Sequence, residues 1–336
     1  MLHKLAALIC GVTIGSVVSV CKADTPIQRT LCVWDLMGAN GDNYALMKDY
    51  RINAAHLGVE FKLIAYSDEK IATEDFRVGQ CDGAVITGLR ARPFNAFTGS
   101  LESIGSMPSY QHLRLAINTI SSPKAAHLMN QGAYEIGGVV PLGAAYFFVN
   151  DRSIDEVGKL AGKKIAIFDY DKSQAQLVQR IGAQTVPSDV TNFGQKFNNG
   201  VVDIIVAPAT AYRPLELYRG LGTRGGIPDF LLAQVSLQLV LRKDRFPEGF
   251  GQKSREYFAS QFDRVLAMVN RYEKDVNPKF WFHIPDEDRP RYIAMMRTAR
   301  IDLMNNGTYD RRMMALLKKV RCQIEPQNAE CSENLE

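Results

Sequence analysis

The segment that decides the fold runs from Leu160 to Tyr212, LAGKKIAIFDYDKSQAQLVQRIGAQTVPSDVTNFGQKFNNGVVDIIVAPATAY. After the turn at Gly162-Lys163-Lys164, Ile165 to Phe168 is a short apolar run. Leu177, Val178 and Ile181 then recur at helical spacing, and Gly182 supplies a helix stop. Thr185 to Pro187 reads as a second short strand and Asn192 to Asn198 as a helix showing Phe193 and Phe197 on one face. Val201 to Ala207 is a β-branched run behind the Asn199-Gly200 turn. The order is β-α-β-α-β. Strands alternating with helices predict a parallel sheet with helices on its faces, and ligands of such sheets sit beyond the carboxyl ends of the strands. Asp169-Tyr170-Asp171 and Thr210-Ala211-Tyr212-Arg213 fall at two of those ends.

The first part of the chain repeats this order. Thr30 to Trp34 is a buried strand that leads into the Gly-rich loop Asp35 to Asp42, which contains Asn40. Leu46, Met47, Tyr50, Ala54 and Leu57 mark a helix stopped by Gly58, and Val59 to Ala65 is the second strand. Ser67 or Asp68 caps a helix through Phe76, and Ala84 to Thr87 is a third strand that ends at Gly88-Leu89-Arg90-Ala91-Arg92-Pro93. Two units of one order predict two lobes with their loop systems face to face.

LAGKKIAIFD, IGAQTVP and NNGVVDIIVAP, in that order and at those spacings, resemble the second lobe of the substrate-binding proteins of TRAP (tripartite ATP-independent periplasmic) transporters. The whole mature chain can be laid on that family, loosely at its ends. The resemblance implies an α/β, two-lobed periplasmic binding protein of type II-like form, with crossing strands and C-terminal helices. It also implies a small-molecule ligand and membrane transporter subunits as partners. Ala166 stands where that family usually carries an Arg that clamps a carboxylate, and Ala207 where an Asn commonly precedes the Pro. A branch of similar proteins is sometimes labelled as RND-type efflux components, but a chain with no membrane segment after its leader is not itself a proton-driven pump.

Gly137 to Val149 is long, apolar and Pro-containing, which suits a strand leaving one lobe for the other, and Phe230 to Leu241 is its return. Crossing strands of this kind act as hinges. The expected division is a signal peptide over 1–23, lobe I over 24–140 plus about 228–249, and lobe II over 141–227 plus about 250–285. C-terminal helices over 286–322 and a polar tail over 323–336, mobile except where a disulfide holds it, follow. Leu113 to Met129 reads as a helix interrupted near Ser122-Pro123. Three apolar stripes, one of them Tyr292, Ile293, Met296, Leu303 and Met304, are expected to pack on the sheets.

His3 and Lys4 precede the apolar segment Leu5 to Val20, and Cys21-Lys22-Ala23 offers small residues before a cut at Asp24: an export signal leading to a periplasmic, soluble chain. A membrane anchor and a lipoprotein cut before Cys21 are the rival readings; no later run is long enough to span a membrane. The formal charge of +4 falls to about +2 without Lys4 and Lys22, too little to argue for nucleic acid. Cys32, Cys81, Cys322 and Cys331 remain, which allow three pairings. Cys32 with Cys81 and Cys322 with Cys331 are favoured, the first tying the starts of two neighbouring parallel strands. Such closures contribute about 4 and 3 kcal/mol in the chain-entropy model. Free buried thiols are the alternative; no spacing suits a metal.

The five His are scattered, and neither a Gly-x-Ser-x-Gly elbow nor a phosphate loop occurs. Gly220 to Gly225 matches a dinucleotide fingerprint in letters only, because no strand precedes it and Pro228 follows where a helix should begin. No catalytic set, cofactor or metal is therefore expected. The candidate ligand-binding residues lie at the strand mouths. Trp34, Tyr170 and Tyr212 could stack on a ligand, Asp35, Asp169 and Asp171 could pair with amines, and Arg90, Arg92 and Arg213 could fork onto a carboxylate or phosphate; Asn40 completes the set. Ligand charge stays open, and a zwitterion would satisfy both signs. The reading is a solute-binding protein that captures a small polar solute and delivers it to a transporter. The rival is an exported accessory protein of an efflux or envelope assembly, its crevice filled by its own side chains, binding a protein partner or a drug-like amine.

Overall fold

The computed structural model of the chain describes residues 25–336. The leader, with its rival membrane-anchor and lipoprotein readings, lies outside the described residues. In the first lobe β1 (Ile27–Trp34), α1 (Asp42–His56), β2 (Val59–Tyr66), α2 (Glu69–Arg77) and β3 (Gly83–Thr87) follow the expected order, and β1 pairs in parallel with both β2 and β3. Asp68 caps α2 by accepting the N–H groups of Lys70 and Ile71. Next come α3 (Gly88–Ala91), α4 (Ala96–Gly99) and α5 (Tyr110–Ser121), and α5 stops before Pro123, where a 3-10 segment takes over. A short β4 (Asn130–Gln131) leads into the long β5 (Tyr134–Val149).

The second lobe is built from β6 (Lys164–Phe168), α6 (Lys172–Arg180), β7 (Gln184–Ser188), α7 (Phe193–Asn198) and β8 (Ile204–Pro208), again with parallel pairing around the first strand. The strand expected from Val201 begins three residues later. Lys196 O accepts the N–H groups of Val201 and Val202, so the end of α7 holds those two residues in its cap. After α8 (Tyr218–Leu221) and β9 (Ile227–Pro228), β10 (Leu231–Arg242) returns through both lobes. The Gly220–Gly225 run is the end of the short α8 and the turn after it, not a phosphate loop.

The sheet order β2-β1-β3-β10-β5-β8-β6-β7 shows how the lobes are joined. In lobe I, β10 pairs antiparallel with β3 and with the first part of β5; in lobe II, the last part of β5 pairs with β8. The two crossing strands stay paired with each other throughout, but their register slips between Val235 and Ser236, opposite Pro141 and Gly143. Gly143 has φ +137°, a backbone state closed to side-chain-bearing residues, and its position in the crossing strand marks the bend.

The remaining elements, α9 (Phe250–Ser260), α10 (Phe262–Asp275), β11 (Trp281–Phe282), α11 (Arg289–Asn305) and α12 (Arg311–Ile324), wrap the two lobes. Met296, Leu303, Met304, Met313 and Leu317 are buried against the core as expected, whereas Ile293, placed in the second stripe by its spacing, is 55% exposed. None of these helices is long and apolar enough to cross a membrane among the described residues. Both favoured disulfides, Cys32–Cys81 and Cys322–Cys331, are present.

Ion pairs join the Cys322–Cys331 disulfide in tying the tail to the helices. Glu330 pairs with Arg300 at 3.2 Å and with Arg321, and Glu336 pairs with the same two arginines, all four side chains being buried. Arg297 adds a pair to Glu333 at 2.5 Å. Burial pushes the Glu330 carboxyl up, but the Arg321 hydrogen bond and the three arginine charges outweigh it and hold the group below the ordinary carboxylate range. Its contribution to stability is therefore present above pH 4.5 and is lost as the pH falls through the depressed value. Replacing Glu330→Ala leaves Arg300 and Arg321 short of a buried partner and is expected to cost about 3–5 kcal/mol in urea unfolding at pH 7. The deficit should shrink in acid.

Candidate functional site

The carboxyl ends of four strands look into one cavity of about 240 Å³ between the lobes. Trp34 reaches it from β1, Thr87 from β3, Phe168 from β6 and Pro208 from β8, and Leu142 and Val235 of the crossing strands form its floor at the bend. The wall is mainly aliphatic and aromatic. Ala166, at the position of the clamping Arg in the TRAP resemblance, is part of it.

The polar groups gather around the end of β3. Arg92 extends from the turn after α3 and donates to Asp171 Oδ1 at 3.1 Å, across the gap between the lobes. The guanidinium of Arg90 lies over the Tyr170 ring at 3.3 Å, a second contact between the same two loops. Asp171 also caps α6, accepting the N–H of Ser173 at 3.0 Å and its hydroxyl at 2.6 Å. Asp35 is engaged in its own lobe, where it accepts the N–H groups of Met37, Asn43 and Tyr44 and so fixes the loop before α1. Burial pushes its carboxyl up despite those bonds.

Trp34, Asp35, Tyr170 and Asp171 therefore line the cavity, with Arg90 and Arg92 directly behind Tyr170 and Asp171. The other four candidates are not brought there. Asn40, the last residue of a 3-10 segment, and Asp169, on a turn, are exposed, and Tyr212 is packed in the lobe II core, its ring 6.4 Å from that of Phe280. Arg213 is exposed beside Asp275 at 3.7 Å. The physical reason is that the chain turns into 3-10 geometry directly after β8, which directs Thr210 to the cavity and Tyr212 away from it.

Two residues were missed altogether. Glu69, the first residue of α2, is fully buried and accepts the N–H of Thr87 at 2.6 Å. Glu102 accepts the N–H groups of Gly88 at 3.0 Å and Ser236 at 2.7 Å, and the Ser236 hydroxyl at 2.7 Å. Ser236 adjoins the register slip in β10, and its N–H meets Glu102 beside Gly88, just past the end of β3. Burial drives each carboxyl up to about 7, against the hydrogen bonds named and the charges of Arg90 for Glu69 and Arg92 for Glu102.

Residues 51–336 match the family model described as solute-binding protein AdeT 1/2. The chain belongs to that family. It is 49% identical over 302 residues to the probable solute-binding protein AdeT1 of Acinetobacter baumannii, covering 90% of this chain and 99% of that relative. Identity to AdeT2 of the same organism is 25% over 233 residues, 69% of this chain and 98% of that one. Among solved structures, a TRAP periplasmic solute-binding protein from Desulfovibrio salexigens with bound orotic acid superposes with a TM-score of 0.74 at 14% identity, over 88% of this chain and 99% of that chain. One from Anaerococcus prevotii with bound glucuronate gives 0.70 at 12% identity, over 88% and 99%. These two establish the two-lobed fold of the family member described here.

A carboxyl raised in the folded state binds its proton more tightly than in the unfolded chain, so stability contributed by the neutral form is greatest in acid and declines as the pH rises from about 4.5 to about 7. Glu102→Gln should flatten that decline. The expected result is a variant more stable than the parent at pH 8, by about 1–3 kcal/mol, with the difference vanishing near pH 5 in denaturant titrations.

Proposed function

We propose that this chain is a periplasmic solute-binding protein that closes two lobes around a small molecule and presents it to a membrane transporter. The observation that carries the reading is the cavity itself, enclosed by the tips of β1, β3, β6 and β8 from both lobes. Membership of a solute-binding family supports capture rather than conversion. TRAP proteins of the same fold bring the precedent of ligands such as orotic acid and glucuronate held by such lobes. Lobe I comprises 24–140 and about 228–249, lobe II 141–227 and about 250–285, and the crossing strands between them form the hinge. Trp34, Asp35, Tyr170 and Asp171 face the solute, with Arg90 and Arg92 joining the loops that close over it. A rival role as an accessory protein calls for a crevice filled by the protein's own side chains. The open volume argues against it.

Closure in this reading is supported by Arg92 on Asp171 and Arg90 on Tyr170. Arg92→Ala combined with Tyr170→Ala should shift the population toward open lobes, seen as a larger radius of gyration in small-angle scattering with unchanged far-ultraviolet circular dichroism. Solutes that bind the closed parent raise its melting temperature by mass action, and the double variant should need higher solute concentrations for the same rise. A screen spanning organic acids, sugars and amines that moved the parent's melting temperature with no compound, together with native mass spectra free of retained small molecules, would falsify solute capture.

A further inference from the structure

Capture alone does not require two buried carboxyls in the cavity wall, each with one oxygen left over. All three donors directed at Glu102 converge on Oε1, and Oε2 is buried with no partner. At Glu69 the Thr87 N–H takes Oε1, while Oε2 has only Arg90 Nε at 3.8 Å, too long for a hydrogen bond. Asp171 Oδ2 is a third unpartnered acceptor in the same wall. Four groups able to donate also lack partners, Trp34 Nε1, Tyr170 Oη, Arg90 Nε and Arg92 Nη2, and Trp34 and Tyr170 line the cavity. Neither arginine lines the cavity, however, whereas Glu69, Glu102 and Asp171 do. The face offered to a solute thus carries three unpartnered carboxyl oxygens beside the Trp34 N–H and the Tyr170 hydroxyl, and it is surrounded by hydrocarbon and aromatic rings, among them Trp34, Phe147, Phe168 and Tyr272.

We propose that the cavity takes an organic ammonium ion, its N–H groups donating to Glu69 Oε2 and Glu102 Oε2 and its apolar body lying against the aromatic wall. The assignment rests on the solute-binding reading and names the class of solute for that same cavity. Buried polar atoms are expected to be paired, and a cationic donor is the group that pairs two carboxylates at once. Aromatic faces stabilise the same charge.

A protonation signature follows. Glu69 is faced by Asp68 and Arg90 from its own lobe and Glu102 by Arg92, and Tyr170 and Asp171 face them from the other lobe. With their pKa values near 7, both carboxyls are divided between neutral and charged forms at neutral pH. An ammonium ion favours the charged form, so binding expels protons and strengthens as the pH rises through 7. The gain is about tenfold for each carboxyl between pH 6 and pH 8.

The test is isothermal titration calorimetry on the purified exported chain at pH 6 and pH 8, in two buffers of unlike ionisation enthalpy. The probes are 2-phenylethylammonium and cyclohexylammonium, beside 3-phenylpropanoate and 2-phenylethanol. The expected result is ammonium binding at least about tenfold tighter than that of the acid or the alcohol, with proton release at pH 7 and tighter binding at pH 8. Glu69→Gln and Glu102→Gln should each reduce proton release and lose affinity for the ammonium while keeping the parent's circular dichroism and cooperative melting. Tighter binding of 3-phenylpropanoate, or ammonium binding indifferent to pH and to both variants, overturns the ammonium assignment and leaves solute capture standing. Failure of all four probes, with no amine found in native mass spectra, also overturns it; an organic acid retained there would again spare solute capture.

Discussion

The pairing of β5 with β10 is the constraint from which the rest of the molecule follows. These two strands are the only ones whose length carries them through both lobes among the described residues, and each lobe's parallel strands attach to opposite ends of the pair. Their hydrogen bonds are continuous except at the bulges, so the lobes are hinged on a sheet and not on a loose linker. Apolar side chains on both faces complete each lobe, with Leu239 and Val240 in the first core and Phe147 and Phe148 on opposite sides of the second. Burial of that kind resists any change except rotation at the bend.

The bend and the cavity chemistry share residues. Beside the bulge in β10, Glu102 accepts both the Ser236 N–H and the Ser236 hydroxyl. The same carboxyl reaches Gly88 at the end of β3, whose neighbour Thr87 holds Glu69. A glycine is required at 88 because a Cβ there would run into Glu102 and Gln238. The hinge, the tip of β3 and the two buried acids thus form one hydrogen-bonded unit, and the charge state of the acids bears on the geometry of the bend.

Much of the fold was legible because burial writes short periods into sequence. The β-α-β-α-β order of both lobes, the crossing runs at Gly137–Val149 and Phe230–Leu241, the helix break at Pro123 and both disulfides could be read from spacing, turns and cysteine positions. Loop residues at strand tips were half legible. Trp34, Tyr170, Asp171, Arg90 and Arg92 converge because the strands aim them, whereas Tyr212 was lost to a 3-10 turn that no periodicity announces. Glu69 looked like an ordinary acidic first-turn residue after the Asp68 cap, and Glu102 lay in an irregular segment. What sets these two apart is a contact 18 and 134 residues away, with Thr87 and Ser236, and such contacts leave no local pattern. In the tail, Glu330 and Glu336 pair with Arg300 of α11 and Arg321 of α12, contacts that residue spacing does not announce.

The contacts of Arg92 with Asp171 and of Arg90 with Tyr170 bridge the lobes without passing through a solute. Their free energy therefore belongs to the closed form whatever occupies the interior. One consequence is kinetic. Each molecule that rests shut on these contacts must first part them before anything can enter, so uptake slows in proportion to the shut fraction, and departure slows with it. Residence time is lengthened at the expense of capture speed.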